Sequence, residues 1–350
     1  MFDQYGKAED VLSLRDVPEP SPGPGEVKVK MLYSPINPSD LTNTIEGAYR
    51  KAVGKTIWNH GKAESELTVD PDGARPLPSP PLVPGLEGVG EVVEAGAGLY
   101  PRMLVGKRVA VVGSKLGNWQ EYTITDAKQA LPVRKGVSDE QAAVSFVNPV
   151  TAYVMVKEVL GCGPGDLVLQ SAGNSELGKM VARLGKHFGF QTASIVRDGA
   201  QAAKLREGGA DHVIDISSED LRDRVCVITG GKGVQHALDP VGGELASDLM
   251  QCLGLGGTLV VYGTLTTEPL NFSSRDLMTP LSSVRGFFLG NWMASRTLLQ
   301  KLAVTRKVGK LLEAGVLQSE IREVFPLEEY TRALATVREP GNRGKVLLRL

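Results

Sequence analysis

The segment Ser171-Ala172-Gly173-Asn174-Ser175-Glu176-Leu177-Gly178 lies between an apolar run, Leu167 to Gln170, and an amphipathic stretch beginning at Leu177. A strand that feeds a helix through a glycine-bearing turn is suited to a dinucleotide. The backbone comes close to the pyrophosphate, and the unpaired N–H groups of the helix's first turn point at it. Glycine stands at the first and last positions of the GxGxxG pattern, and Ser175 takes the middle one. The pattern gains meaning from its place after a strand and before a helix, in a strand–helix–strand unit of the right length. Gly173, Asn174, Ser175, Glu176, Leu177 and Gly178 are therefore candidate cofactor contacts. The next apolar run ends at Val196, and Arg197 follows, about 20 residues on, where NAD enzymes place an acid against the ribose. A guanidinium there pairs with a 2′-phosphate, so NADPH is the expected cofactor. Asp198, its neighbour, pulls the other way, since a carboxylate facing the ribose favours NADH. Glu176 is favoured by the helix dipole but would meet a dianionic pyrophosphate. Its side chain is expected to turn outward to solvent.

The elements that must position these residues change character along the chain. The first third is punctuated by Pro18, Pro20, Pro22 and Pro24, and its segments Glu26–Leu32, Gly90–Glu94 and Lys107–Val112 read as short strands, the first with clean alternation. Residues 50–84 are polar, end in a proline-rich tract and have no period. They are expected to form a long surface loop, a lid or a channel wall. From about Asp166, strand-like and helix-like runs alternate (DLVLQS, LGKMVARLGKHFG, QTASIV, and so on to GTLVVYG), which specifies a parallel sheet covered by helices on both faces. Gly189, Gly208 and Gly254 stand where helix C-caps are expected. SVRGFFL, Ser283 to Leu289, adds one more strand. Helices follow over Leu298–Glu313 and Leu327–Arg338, and KVLLRL is a final strand.

A chain of 350 residues exceeds what one core serves, so two domains are expected. The 39 basic and 40 acidic residues give a net charge of −1, which offers no general attraction to nucleic acid or an anionic membrane. No apolar run is long enough to span a bilayer, and no secretory signal is visible. Cys162, Cys226 and Cys252 are widely separated with no CxxC pair, so neither a disulfide framework nor a cysteine zinc site is indicated, and three buried thiols are expected. The expected setting is cytoplasmic, or the mitochondrial matrix for a eukaryotic chain lacking its leader.

Taken in order, several short segments resemble the zinc-free medium-chain dehydrogenase/reductases from end to end. Within these the chain is most similar to the mitochondrial-type 2-enoyl thioester reductases, with the quinone oxidoreductases also close. The segments are Pro35-Ile36-Asn37-Pro38-Ser39-Asp40-Leu41, Ile45-Glu46-Gly47-Ala48-Tyr49, Asn148-Pro149-Val150-Thr151-Ala152-Tyr153, Ala172-Gly173-Asn174-Ser175 and Val196-Arg197-Asp198. Val241-Gly242-Gly243, Val261-Tyr262-Gly263 and the run from Arg285 to Trp292 complete the set. The resemblance implies a β-rich GroES-like catalytic domain, residues 1–148, completed by the tail, 300–350. A doubly wound Rossmann domain over 149–299 would bind NADPH. It also implies a homodimer through the Rossmann sheet edge at the Arg285–Trp292 strand. At the positions where zinc-dependent relatives ligate metal, Asn37-Pro38-Ser39-Asp40 holds no cysteine and Leu86 replaces a histidine. The histidines His60, His187, His212 and His236 are scattered, so no metal is expected. Asp40 and Glu87 are expected to hydrogen-bond loop backbone instead.

By the same resemblance Tyr49 is the proton donor, a phenol that stays protonated at neutral pH. Asn148 and Thr151 lie near the nicotinamide. Tyr262, Gly263, Thr264 and Leu265 follow a strand end, Phe287, Phe288, Leu289 and Gly290 approach the nicotinamide half, and Lys345 reaches it from the tail. Trp119 and Trp292 wall a substrate pocket. The implied activity is NADPH-dependent reduction of the C=C bond of a 2-enoyl thioester, on coenzyme A or acyl carrier protein. A quinone or alkenal reductase and a non-enzymatic NADPH-binding protein are the alternatives.

Overall fold

A computed structural model of the chain describes residues 1–47, 79–114, 116–266, 268–339 and 344–350. Tyr49 and residues 50–78 of the expected long loop lie outside the described residues. Just beyond them, Leu82 forms an isolated antiparallel bridge with Phe2. The chain divides into two compact units, Met1–Val144 with Ile321–Leu350, and Ser145–Glu320.

The first unit begins with β1 (Glu26–Pro35), β2 (Glu87–Ala95), β3 (Arg108–Val112), β4 (Tyr122–Asp126) and β5 (Ala130–Pro132). β1 pairs antiparallel with β2 and with β4, β2 with β3, and β3 with β5. The alternation of β1 is physical. Val27, Val29 and Met31 are buried, while Lys28, on the opposite face, carries its ammonium to Glu19 at 2.9 Å and to Glu94.

The second unit is a six-stranded sheet of β6 (Leu167–Gln170), β7 (Gln191–Val196), β8 (His212–Asp215), β9 (Val234–Asp239), β10 (Leu253–Val261) and β11 (Ser283–Gly286). The spatial order is β11-β10-β9-β6-β7-β8, and every pairing is parallel. Helices return the chain between strands and cover the central ones, whose apolar residues are buried. Leu169, Ile195, Ile214, Ala237, Leu249 and Leu259 share one core there. The order reverses between β6 and β9, and such a switch point opens a crevice at the carboxyl ends of the strands.

The chain then re-enters the first unit. β13 (Lys345–Arg349) pairs antiparallel with β1, and β12 (Ile321–Pro326) lies parallel to β13. The tail thus completes the first sheet, as expected. The compact units divide after Val144 and before Ile321, and the Val147–Tyr153 and Leu298–Glu313 helices pack on each other in the second.

Four local readings are corrected. The helix after the turn starts at Glu176, not Leu177, because Ser175 caps it. The edge strand stops at Gly286 and Phe288 precedes a helix, Leu289–Ala294, so the run to Trp292 is not one strand. Gly254 lies inside β10 rather than at a helix end. A Cβ there would stand 2.3 Å from the carbonyl oxygen of Lys232, so the glycine serves a close backbone approach. Cys226 is exposed on the outer side of the Leu221–Thr229 helix, while Cys162 and Cys252 are buried.

Candidate functional site

In the Rossmann unit the turn from Ser171 to Gly178 has a specific reason for each glycine. A Cβ on Gly173 would lie 2.5 Å from that of Ser194 on the neighbouring strand, so the turn can sit against β7 only without a side chain. A Cβ on Gly178 would lie 2.7 Å from the carbonyl oxygen of Gly173, so the helix can close on the turn only there. The middle position needs no glycine. Ser175 is the N-cap in extended conformation (φ −68°, ψ 158°), and its hydroxyl accepts the Gly178 N–H at 3.0 Å. Gln170, which the sequence reading passed over, donates from Nε2 to the Gly178 carbonyl at 3.0 Å and to the Ser194 hydroxyl at 2.9 Å. Leu177 is buried beneath the turn.

The expectation that Glu176 turns to solvent is overturned. Its side chain is only 7% exposed. Oε1 pairs with the Lys179 ammonium at 2.8 Å and Oε2 accepts the Glu320 backbone N–H at 2.8 Å. Lys179 reaches the Glu320 carboxylate as well, at 3.0 Å, and its partners raise its pKa against the opposing effect of burial. One helical turn on, Arg183 donates to the carbonyls of Val316 and Gln318. The acid is therefore an anchor for the 316–320 segment, with its charge met by an ammonium rather than by water.

At the end of β7, Arg197 is exposed. Asp198 is occupied: its carboxylate caps the short turn after it by accepting the Ala200 N–H at 2.9 Å. Asn174 donates its amide to the Gln201 side chain, joining the phosphate turn to this loop. Tyr262, Gly263, Thr264 and Leu265 follow β10, and Phe287 to Gly290 follow β11. Because the strands are parallel, these groups, the turn and Arg197 share the carboxyl edge of one sheet, the edge where Rossmann units hold ligands. The Tyr262 N–H bonds the Asp239 carbonyl at 2.9 Å and the Phe287 N–H bonds that of Val261 at 2.8 Å. A Cβ on Gly263 would press on Pro240, its carbonyl oxygen 2.8 Å away. Thr264 and Leu265 are exposed, as are Phe288 and Gly290, with Leu289 half-buried. Asn148 and Thr151 lie three residues apart on the Val147–Tyr153 helix, hence on one face, and this helix packs on the Glu176–Phe188 helix. Trp292 is buried, with the Arg296 guanidinium 4.8 Å from its ring centre.

Between β6 and β9 the structure adds a residue that the sequence reading missed. Asp239, fully buried, receives the Ser171 hydroxyl on one carboxylate oxygen and the Gly242 N–H on the other at 2.7 Å. Burial pushes its pKa up, and the bonds from Ser171, Gly242 and Val241 oppose that rise. Burial and the nearby Asp239 charge both push the Tyr262 phenol upward. The only trace of this cluster in the sequence is an acid ending an apolar strand just before Pro240-Val241-Gly242-Gly243.

The first unit holds the remaining candidates. Asp40 is fully buried and accepts backbone N–H groups on both oxygens, from Asn37 and from Leu86, each at 2.9 Å. Burial nevertheless pushes its pKa up to about 7. Asn37 links the group, donating to Glu87 Oε1 at 3.2 Å and accepting from the Lys345 ammonium. Lys345 is thus buried against Asn37 inside this unit. Trp119 is a core residue here, packed among Phe2, Ile36, Leu41 and Ile45, with its indole N–H on the Pro35 carbonyl at 3.2 Å. Among the described residues, no group of three or more His, Cys, Asp or Glu is placed to hold a metal ion, and no helix is long and apolar enough to cross a membrane.

Comparison with known proteins agrees with both units. Residues 23–135 match the alcohol dehydrogenase GroES-like domain and residues 177–331 the zinc-binding dehydrogenase family. The mitochondrial enoyl-[acyl-carrier-protein] reductase of Xenopus tropicalis is 30% identical over 357 residues, covering 99% of this chain and 94% of its own length. The enzyme of that name from Homo sapiens is also 30% identical, over 99% of this chain and 87% of its own. Among solved structures, a Bacillus thuringiensis protein assigned as an NADPH:quinone reductase superposes with a TM-score of 0.86 at 29% identity, covering 100% of this chain and 97% of its own. The chain belongs to the medium-chain dehydrogenase/reductase family of oxidoreductases, and is related within it to both the mitochondrial enoyl-[acyl-carrier-protein] reductases and the quinone oxidoreductases.

Proposed function

We propose that the chain is a zinc-independent, NADPH-dependent reductase of the C=C bond of a 2-enoyl thioester. The observation that carries this reading is the turn at Gly173–Gly178 with Arg197 beyond it. Glycines stand where a Cβ would collide with the strand and the turn, the helix N-terminus is capped by Ser175, and Asp198, the acid beside Arg197, caps its own loop. These features fit a pyrophosphate, and an exposed guanidinium at the end of β7 suits a 2′-phosphate. In this reading Gly173, Asn174, Ser175, Leu177 and Gly178 hold the pyrophosphate and Arg197 the 2′-phosphate. Asn148, Thr151, Tyr262 to Leu265 and Phe287 to Gly290 line the remainder.

The bound nicotinamide supplies the hydride. The chain's own residues must hold the acceptor carbon near contact distance, stabilise charge on the thioester oxygen through hydrogen-bond donors and deliver a proton to the α-carbon. Tyr49 is the proposed proton donor. Zinc-free operation is supported by the acids nearest the expected ligand positions, since both Asp40 oxygens accept backbone N–H groups and Glu87 binds Asn37. A second copy of the chain is proposed to add to the sheet edge at β11, whose four residues are all exposed.

The enoyl-[acyl-carrier-protein] reductase relatives, similar over nearly the whole chain, favour a thioester substrate. The quinone-reductase fold relative is the specific observation behind a second reading, in which quinones or alkenals are reduced. Glu176 is held by the Lys179 ammonium and the Glu320 N–H, so an acid at the start of this helix is no argument for a non-enzymatic role. Purified chain assayed with NADPH against crotonyl-CoA, alkenals and quinones tests these readings. Crotonyl-CoA should turn over at a kcat/KM at least tenfold above the others. Preference for quinones refutes the thioester reading, and lack of turnover on every member refutes the enzyme. Tyr49→Phe should abolish thioester turnover with NADPH affinity intact, and unchanged turnover removes it as donor.

A further inference from the structure

We infer that Asp239 is a positioning residue that holds the phosphate turn in a left-handed backbone conformation, an inference that rests on the NADPH reading of that turn. Ala172 has φ +50°, a region disfavoured for any residue with a Cβ. Such strain persists only where the surroundings over-determine it, and it gathers at ligand clamps. Both neighbours of Ala172 are fixed. Ahead of it, the Ser171 N–H donates to the Leu238 carbonyl at 3.0 Å and its hydroxyl to Asp239. Behind it, the Gly173 N–H donates to the Ile195 carbonyl at 3.1 Å, and the missing Cβ lets the turn sit on Ser194. The Ser175 N–H closes the turn on the Ala172 carbonyl at 2.9 Å.

Asp239 cannot swing away, because its second oxygen accepts the Gly242 N–H. The loop that provides this bond is itself tied down. The Leu265 N–H donates to the Pro240 carbonyl at 3.0 Å and the Thr266 N–H to that of Val241 at 2.9 Å. One carboxylate thus links the loops after β6, β9 and β10 at the switch point, and the tension of the Ala172 turn is borne by all three. A carboxylate accepts from both partners at once, whereas an amide that kept the Gly242 N–H on its oxygen would have to turn its NH2 to Ser171, whose hydroxyl would then accept, and the charge would be lost.

The test is the dissociation constant for NADPH of the full chain, read by cofactor fluorescence, with a melting curve on each variant. Asp239→Asn and Ser171→Ala should each weaken binding roughly tenfold, the loss of a charge-assisted bond. Adding Ala172→Gly to either should restore most of that loss, because glycine enters the left-handed region without a clamp. A purely structural role for Asp239 would lower the melting temperature and leave affinity untouched, and Ala172→Gly would restore nothing. Either result overturns the inference. Should Asp239→Asn not fold, Ser171→Ala with and without Ala172→Gly makes the same comparison. Failure of the unsubstituted chain to bind NADPH sinks the proposed function and this inference together. Tight binding by the chain and its variants alike sinks only the inference.

Discussion

Glu176→Gln separates two opposite views of an acid at the mouth of a dinucleotide turn. If the carboxylate faced the phosphates, removing its charge would tighten NADPH binding. In the structure it faces Lys179 and the Glu320 N–H, both at 2.8 Å, and its side chain is 7% exposed. The amide of glutamine has one accepting oxygen for these two donors, and its NH2 must face one of them. A hydrogen bond to a charged group is worth about 1.5–3 kcal/mol. Lys179 retains the Glu320 carboxylate at 3.0 Å, so the ammonium is not stranded, and a net loss of about 2 kcal/mol is expected. For a unit of this size that lowers the melting temperature by roughly 4–8 °C. NADPH affinity should change by less than about threefold, below 0.7 kcal/mol. Differential scanning fluorimetry and a cofactor titration on the same preparation read both. A tenfold gain in NADPH affinity with an unaltered melting curve would refute the reasoning.

Burial lifts Asp40 from 3.8 to about 7, so the folded chain keeps a proton that the unfolded chain releases between about pH 4 and pH 7. Stability linked to this group falls as pH rises through that window, by at most about 4 kcal/mol. Urea denaturation at pH 5 and pH 8 should show the drop, and Asp40→Asn should flatten it. An Asp40→Asn slope equal to that of the parent would show that other groups carry it. Gly173→Ala would place a Cβ 2.5 Å from Ser194 and should cost at least tenfold in NADPH affinity even where the chain folds, so binding within twofold of the parent would show that the turn has room. Arg197→Ala should weaken NADPH at least tenfold and leave NADH nearly unchanged, and an equal loss for both cofactors would deny a 2′-phosphate contact.

Legibility in the sequence followed the range of the interactions involved. β7, QTASIV, matches its sequence reading to the residue, because the strand–helix alternation around it brackets it between helical runs. The Leu298–Glu313 helix was equally plain, since Thr297 and Gln300 form a capping box. SVRGFFL misled because its apolar run crosses the junction between an edge strand and the Leu289–Ala294 helix. Gly254 misled because a glycine needed for close backbone approach looks the same as one that ends a helix. In the candidate site, the turn and Arg197 were visible because they are contiguous with their strands. The Glu176–Glu320 contact and the Ser171–Asp239–Gly242 cluster were not, since each joins segments far apart in the chain and leaves no periodic mark.

The closing of the first sheet by β13 has a consequence for the order of assembly. All six strands of the Rossmann sheet have left the ribosome before residues 345–349 are made, so the unit encoded in the middle can fold while the one encoded first still waits for its last strand. During that interval Tyr33 and Ser34 of β1, which later pair with Arg349 and Leu348, leave backbone groups open to any passing strand, while Pro35 has no N–H to offer. Nascent chains halted before β13 should therefore aggregate through their amino-terminal half while their central half resists protease.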